Sequence, residues 1–206
     1  MAAPTVFVVD GDHDVRESTC ELLRANGYTV NAFSTTGAFE STCSPGQAGC
    51  VVLDISLPDR SGLVLQQRLK EREIGLPVIA VSGQATTRMV VDAIKQGATE
   101  FLEKPVCPDV LLAQVRRALK RDAENREREA RAAITRQRLA TLTAREREVF
   151  DSLISACSPK QIAARLGISP KTIDVHRSRV LTKMQVENVV ELARVAHRAG
   201  LLEDAD

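Results

Sequence analysis

Cys50-Val51-Val52-Leu53-Asp54-Ile55-Ser56-Leu57-Pro58 is the stretch that decides the fold. Its first four residues form a short, continuously apolar run that ends on a lone carboxylate. Such a run suits a strand of a parallel sheet with helices on both faces. Working outward, similar runs are Val6-Phe7-Val8-Val9, Tyr28-Thr29-Val30, Val78-Ile79-Ala80-Val81 and Thr99-Glu100-Phe101-Leu102. Helical stretches lie between them, for example Ser61 to Arg72, where Leu65 and Leu69 stand four apart. The alternation predicts an α/β domain with a doubly wound, five-stranded parallel sheet.

Sheets of this kind bind ligands beyond the carboxyl ends of their strands. Asp10 and Asp12 follow the first run, Asp54 ends the third, Ser82 ends the fourth and Lys104 follows the fifth. Acidic groups around an aspartate suit Mg2+, a hard ion that takes oxygen ligands and keeps waters. Such an ion would neutralise phosphoryl oxygens and let a carboxylate act as nucleophile, with a lysine and a hydroxyl holding the remaining oxygens.

The pattern changes beyond Asp109. An apolar stripe (Val110, Leu111, Val115, Leu119) thins into the Arg/Glu-rich segment Glu124 to Arg138, with no Pro or Gly. One long helix is expected, ending as a mostly solvated connector laced with ion pairs. From Thr141 the chain reads as all helical. Thr143-Ala-Arg-Glu146 and Ser158-Pro-Lys-Gln161 are capping boxes, Pro159 suits a first helical position, and Gly167 is a stop signal. Two helices joined by Gly167-Ile168-Ser169 predict a helix-turn-helix. On its second helix Ile173, Val180 and Met184 fall on a core stripe, while Lys171, Asp174, Val175 and Ser178 form an outward one flanked by Arg177, Arg179 and Lys183. A last amphipathic helix is expected over Val189 to Arg198. The division expected is 1–120 for the α/β domain, 121–140 for the helical linker and 141–206 for a four-helix, all-α domain.

Composition narrows the classes. With 206 residues, 44% hydrophobic and 27% charged, the chain is of globular type and long enough for two domains. A net charge of +1 means that nucleic acid would be met by a local patch, not by bulk charge. Five scattered cysteines without CxxC spacing read as reduced thiols. No signal-peptide pattern or membrane-spanning run is present, so a cytoplasmic protein without membrane association is expected.

Residues 4–120 resemble a response-regulator receiver through Val8-Val9-Asp10, Val52-Leu53-Asp54-Ile-Ser-Leu-Pro58 with Ser61-Gly62, Val81-Ser82-Gly83, and Gly97-Ala98 to Lys104-Pro105. The resemblance implies Asp54 as phosphoacceptor, a metal site using Asp10, Asp54 and the Ser56 carbonyl, phosphoryl contacts from Ser82 and Lys104, Phe101 as the switch aromatic, and a cis Lys104–Pro105 bond. Residues 141–202 are similar to the LuxR-type helix-turn-helix through Leu142 to Val149, Lys160-Gln-Ile-Ala163 and Leu166 to Arg177. Thr172-Ile-Asp-Val-His-Arg177 and Lys183-Met184 place it nearest the FixJ subgroup of the NarL/FixJ regulators. That likeness implies phosphate contacts from Lys160, Thr172, Arg177 and Lys183, and base reading by Asp174, Val175 and Ser178. Ser169 and Lys171, at the start of that helix, are further DNA-binding candidates. Asp174 would either accept from cytosine N4 or favour the helix N-terminus.

Two positions depart from these patterns. Where the receiver family has a second adjacent acid, this chain has Gly11, in the order Asp10-Gly11-Asp12. One carboxylate fewer should weaken Mg2+ binding. Either Asp12 swings in, or a water fills the gap, or the site phosphorylates less efficiently. Ala156-Cys157 stands where the helix-turn-helix family has a glycine, which implies a different loop. The expected function is a DNA-binding transcription regulator, not a metabolic enzyme, switched when a sensor histidine kinase phosphorylates Asp54. Its partners would be double-stranded DNA, the kinase, a second copy of itself when active, and RNA polymerase. The receiver surface around Phe101 and the last helix around Val189, Leu192 and Val195 are the candidate dimer surfaces. A second reading keeps DNA binding but makes the receiver a dimerisation or docking module that works without phosphate. A third, a phosphoryl sink that does not use DNA, conflicts with the intact helix-turn-helix.

Overall fold

The computed structural model describes residues 3–57, 59, 61–155 and 157–201. Pro58 and Ala156, both singled out above, lie outside the described residues. The chain divides into two compact units, residues 1–126 and 127–206.

In the first unit β1 (Thr5–Val9), α1 (His13–Ala25), β2 (Thr29–Phe33), α2 (Thr36–Thr42), β3 (Gly49–Asp54), α3 (Gly62–Glu71), β4 (Val78–Ser82), α4 (Thr87–Lys95) and β5 (Glu100–Glu103) alternate, and α5 (Pro108–Ala140) follows. The strands form one sheet in the order β2-β1-β3-β4-β5, and every pairing is parallel. The continuous apolar runs have a simple cause: alternate side chains serve opposite layers. Val6, Val8, Val52 and Val81 pack with Cys20 and Leu23 of α1 and Leu111 and Val115 of α5. Phe7, Val9, Val51 and Leu53 pack with Phe39 of α2 and Leu65 and Leu69 of α3. All six residues of β3 are buried, so the strand carrying Asp54 sits at the centre of the domain. Each such apolar side chain contributes about 1.5–3 kcal/mol on burial.

The helix α5 is less solvated than its composition suggests. Asp122 is buried, and its carboxylate accepts the Gly49 amide at 3.0 Å. Arg126 donates to the Gly46 carbonyl. These bonds tie α5 to the segment leading into β3, where backbone groups at the start of the strand need partners. Lys120–Glu124 and Glu127–Arg131 are the exposed i,i+4 pairs that the mixed charge predicts.

In the second unit the last turns of α5 are followed by α6 (Ala144–Ile154), α7 (Pro159–Leu166), α8 (Pro170–Met184) and α9 (Val189–Arg198). Both capping boxes form, at Thr143/Glu146 and Ser158/Gln161. Gly167 ends α7 at φ 64°, a left-handed conformation that favours glycine. Val149, Phe150, Ile162, Ile173, Val180 and Met184 share one core. One expectation is corrected here: Leu192 is fully buried in that core with Ala196 and is no part of an exposed dimer face. The apolar residue that α9 exposes is Val190, at 71%. Leu192 lies on the side of the amphipathic α9 that closes its own domain, while Val189 and Val195 stay half-buried.

Candidate functional site

The chain reverses direction across the sheet between β1 and β3, the switch point at which open α/β sheets place their ligands. Asp10 stands one residue past β1, Asp54 ends β3 and Ser82 ends β4, all three buried, and Lys104 follows β5. Lys104 Nζ donates to Asp10 Oδ2 and to Asp54 Oδ2, both at 2.7 Å. The other carboxylate oxygens are held by backbone. Asp10 Oδ1 accepts from the Asp12 amide at 3.0 Å, and Asp54 Oδ1 accepts from the Ser56 amide at 2.7 Å. Burial alone would pull the Lys104 ammonium down, but the hydrogen bonds and charges of Asp10 and Asp54 overcome it and hold the group above its ordinary 10.5.

Neighbouring backbone fixes this geometry. The Lys104 amide donates to the Ser82 carbonyl at 2.8 Å, and the Lys104–Pro105 bond is cis. The Ser56 and Ser82 hydroxyls face each other at 3.4 Å. Gly62 is required by close approach: a Cβ there would stand 2.6 Å from the Asp54 carbonyl oxygen. Phe101 is partly buried against Ala80, Ala93, Ala98 and Met89, on the α4 side of the sheet.

Asp12 is not drawn into the cluster. Its carboxylate caps α1, accepting the Asp14 amide at 2.9 Å and the Val15 amide at 3.1 Å. The bond from Val15 is the main reason that its carboxyl is held below the usual range. Asp12 swinging in as a metal ligand is one of the alternatives at Gly11, and its position before a helix, where carboxylates cap, competes with it. The remaining donors still fit a magnesium ion. Two carboxylates outnumber one ammonium, leaving one excess negative charge, and Mg2+ is commonly held by one or two carboxylates with waters completing its shell.

Three contributors escaped the sequence reading. Arg16 of α1 reaches back to donate to the Asp10 carbonyl at 2.7 Å. Asp59 accepts from the Thr36 hydroxyl at 2.7 Å and the Thr36 amide at 3.1 Å, tying the loop after β3 to the start of α2. Desolvation works against the Asp59 carboxylate, yet the Thr36 bonds hold its carboxyl below the usual range. Gln66, buried in α3, donates to the Ala93 carbonyl near the end of α4 at 3.1 Å. Only Arg16 left a usable signal, as a basic residue one turn past the acidic pair.

In the second unit, α8 begins at Ser169, which accepts the Thr172 amide at 3.1 Å and shares a 2.8 Å bond with the Thr172 hydroxyl. Both side chains are exposed but already serve the cap. Lys171, Asp174, Val175 and Ser178 are exposed, as is Lys160 on α7, and Arg177 is half-buried. Lys183 is elsewhere: Nζ lies 2.5 Å from Glu146 Oε2 and 3.1 Å from the Thr141 carbonyl. The hydrogen bond from Lys183, helped by the Thr143 amide, holds the Glu146 carboxyl down to about 2. Lys183, expected as a phosphate contact, pairs its ammonium with the capping-box acid.

Fold and site together define a receiver joined to a helix-turn-helix domain. Residues 6–116 match the response regulator receiver domain and residues 140–196 match the bacterial regulatory proteins of the luxR family. The transcriptional regulatory protein FixJ of Bradyrhizobium diazoefficiens is 38% identical over 199 residues, 97% of each chain. The solved structure of the response regulator StyR matches with a TM-score of 0.81 at 36% identity, over 96% of this chain and 100% of that one. Full-length FixJ from B. japonicum gives 0.59 at 36% identity, over 98% and 100%. The chain belongs to the NarL/FixJ family of response regulators, as a FixJ-like member with a receiver and a DNA-binding domain. The family consists of transcription regulators, and no described helix is long and apolar enough to cross a membrane.

Proposed function

We propose that a partner sensor histidine kinase phosphorylates Asp54, and that the phosphorylated chain pairs with a second copy and binds double-stranded DNA. The observation that carries this reading is Lys104 held at 2.7 Å between Asp10 and Asp54 at the switch point. The lysine bridges two carboxylates side by side, and it stands ready to meet the phosphoryl oxygens that Asp54 acquires. Asp10, Asp54 and the Ser56 carbonyl would hold Mg2+, which supplies charge neutralisation at the phosphoryl oxygens. Ser82 and Lys104 bind the phosphoryl group, and Phe101 reports the change to the α4 side. Asp12 stays at its helix cap, so the metal is bound more weakly than a second adjacent acid would allow.

In the second unit Lys160 and Arg177 contact phosphates, while Lys171, Asp174, Val175 and Ser178 face base edges in the major groove. Ser169 and Thr172 pre-order the start of α8, and their exposed side chains lie at its DNA-facing N-terminus. The functional division is receiver 1–120, linker 121–140 and DNA-binding domain 141–206. The protein works in the cytoplasm, where DNA and RNA polymerase are its partners. Gly11 and the engagement of Asp12 favour one second reading, a regulator whose receiver docks or dimerises without phosphate.

Labelling by acetyl phosphate, with and without Mg2+, separates the two. Metal-dependent labelling of the native chain that disappears in Asp54→Ala is the expected result. A native chain that stays unlabelled while Gly11→Asp is labelled would establish the second reading instead.

A further inference from the structure

The turn between β1 and α1 starts at Asp10, whose carboxylate faces Lys104, and has Gly11 at its centre. Glycine loses more backbone freedom on ordering than any other residue, so this turn is costly to hold in one shape. The ladder of β1 also ends here, which leaves the Asp10 carbonyl in need of a donor. Arg16, half-buried in the first turn of α1, meets that need. Its Nη1 donates to the Asp10 carbonyl at 2.7 Å and stands 3.4 Å from the Asp12 carbonyl, so it spans Gly11. The Arg16 amide bonds the Asp12 carbonyl as well, at 3.0 Å. One residue thus grips the turn with both its backbone and its side chain.

The grip reaches the carboxylate through the backbone. The Asp12 amide meets Asp10 Oδ1 at 3.0 Å only while the turn keeps this shape. With Oδ1 held, Oδ2 faces the Lys104 ammonium that it shares with Asp54. The Asp12 side chain takes no part, because it caps α1. A guanidinium so close also carries a positive charge, which by itself would oppose binding of a cation. Orientation and charge therefore act with opposite signs, and removing Arg16 tells them apart.

We infer that Arg16 is a positioning residue for the metal site. It clamps the turn through Gly11 and sets the Asp10 carboxylate for Mg2+, in a chain where no second adjacent acid does so. This role rests on the magnesium reading of Asp10 and Asp54 proposed above.

The test is calorimetric titration of the full chain with Mg2+, for the native protein, Arg16→Ala and Arg16→Lys. Arg16→Ala should bind Mg2+ about tenfold more weakly although it loses a positive charge, as expected when a group that orients a metal ligand is removed. Arg16→Lys keeps a donor for the Asp10 carbonyl and should recover part of the loss. A second readout is labelling of Asp54 by acetyl phosphate at increasing Mg2+. In Arg16→Ala the half-saturating Mg2+ should rise about tenfold, while the rate at saturating Mg2+ stays close to native. A lower saturating rate with the midpoint in place would mean general damage and would overturn the role. Mg2+ affinity that is unchanged or tighter in Arg16→Ala would also overturn it, leaving Arg16 as a spare cap or a competing charge. If the native chain takes up no Mg2+, the metal reading itself fails, and the role of Arg16 fails with it.

Discussion

Two lysines, one in each unit, make opposite use of the same chemistry. Lys104 bridges two carboxylates on separate strands, and its side chain is 18% exposed. Lys183 pairs with one carboxylate that is also the third residue of a capping box, and Glu146 is only 5% exposed. At Lys104 the charges do not balance, and the cluster opens onto a cavity. At Lys183 one acid satisfies both a helix terminus and an ammonium, and the two charges balance. The contrast shows that a conspicuous basic residue becomes functional through the unmet charge around it, not through its presence in a motif.

The largest expected effect tests the open lysine. Lys104→Met should slow phosphorylation of Asp54 by about 10²–10³-fold, the usual cost of removing one donor aimed at developing charge. The same variant should bind Mg2+ more tightly in calorimetry, because an internal cation no longer competes for Asp10 and Asp54. Slower labelling together with weaker metal binding would mean that Lys104 supports the metal site and does not compete with it.

The closed lysine should matter to stability instead. Glu146→Ala removes a cap and strands Lys183, so denaturant unfolding of the second unit should show a loss of about 3 kcal/mol. Replacing both partners, as Glu146→Leu with Lys183→Met, should recover part of that loss. DNA affinity should follow the stability change and show no separate loss of salt dependence. A steep fall in salt dependence with Lys183→Met alone would restore that residue as a phosphate contact.

The two sites should also differ in pH. Glu146 is held at about 2 against its ordinary 4.5, so its stabilisation is complete above 4.5 and is lost as pH falls towards 2. Lys104 is held above 10.5, so its contribution is complete below 10.5 and fades as pH rises through the raised value. Acid should therefore weaken the second unit through Glu146, and alkali the first through Lys104. Unfolding followed by hydrogen exchange in each unit would register both. Glu146→Gln should lose its difference from the native chain near pH 2.

A smaller effect belongs to α8. Arg177→Ala should weaken binding to all DNA sequences alike and reduce the slope of affinity against salt by about 1, the signature of one phosphate contact. The smallest belongs to the contact between α3 and α4. Gln66→Leu removes one buried hydrogen bond to the Ala93 carbonyl, worth about 1 kcal/mol in thermal unfolding.

The parallel sheet was legible because its strands are nearly all apolar, and the helix starts because Thr143, Ser158 and Ser169 are unambiguous caps. Asp10, Asp54, Ser82 and Lys104 could be found from strand ends alone, since topology forces strand ends together. Other features needed three dimensions. Asp122 reads as one more surface charge until the Gly49 amide is seen to need it. The pairing of Lys183 with Glu146 spans 37 residues, so no local pattern announces it. Leu192 lies on a helix with two plausible faces, and only packing decides which is covered.

Control of the DNA-binding unit by the open cluster is read most plainly from an operator-binding isotherm of the full chain before and after phosphorylation, with Asp54→Ala treated identically. Tighter binding on phosphorylation, absent in Asp54→Ala, is the predicted result. Isotherms that coincide for the phosphorylated and unphosphorylated native chain would mean that Asp54 does not switch DNA binding.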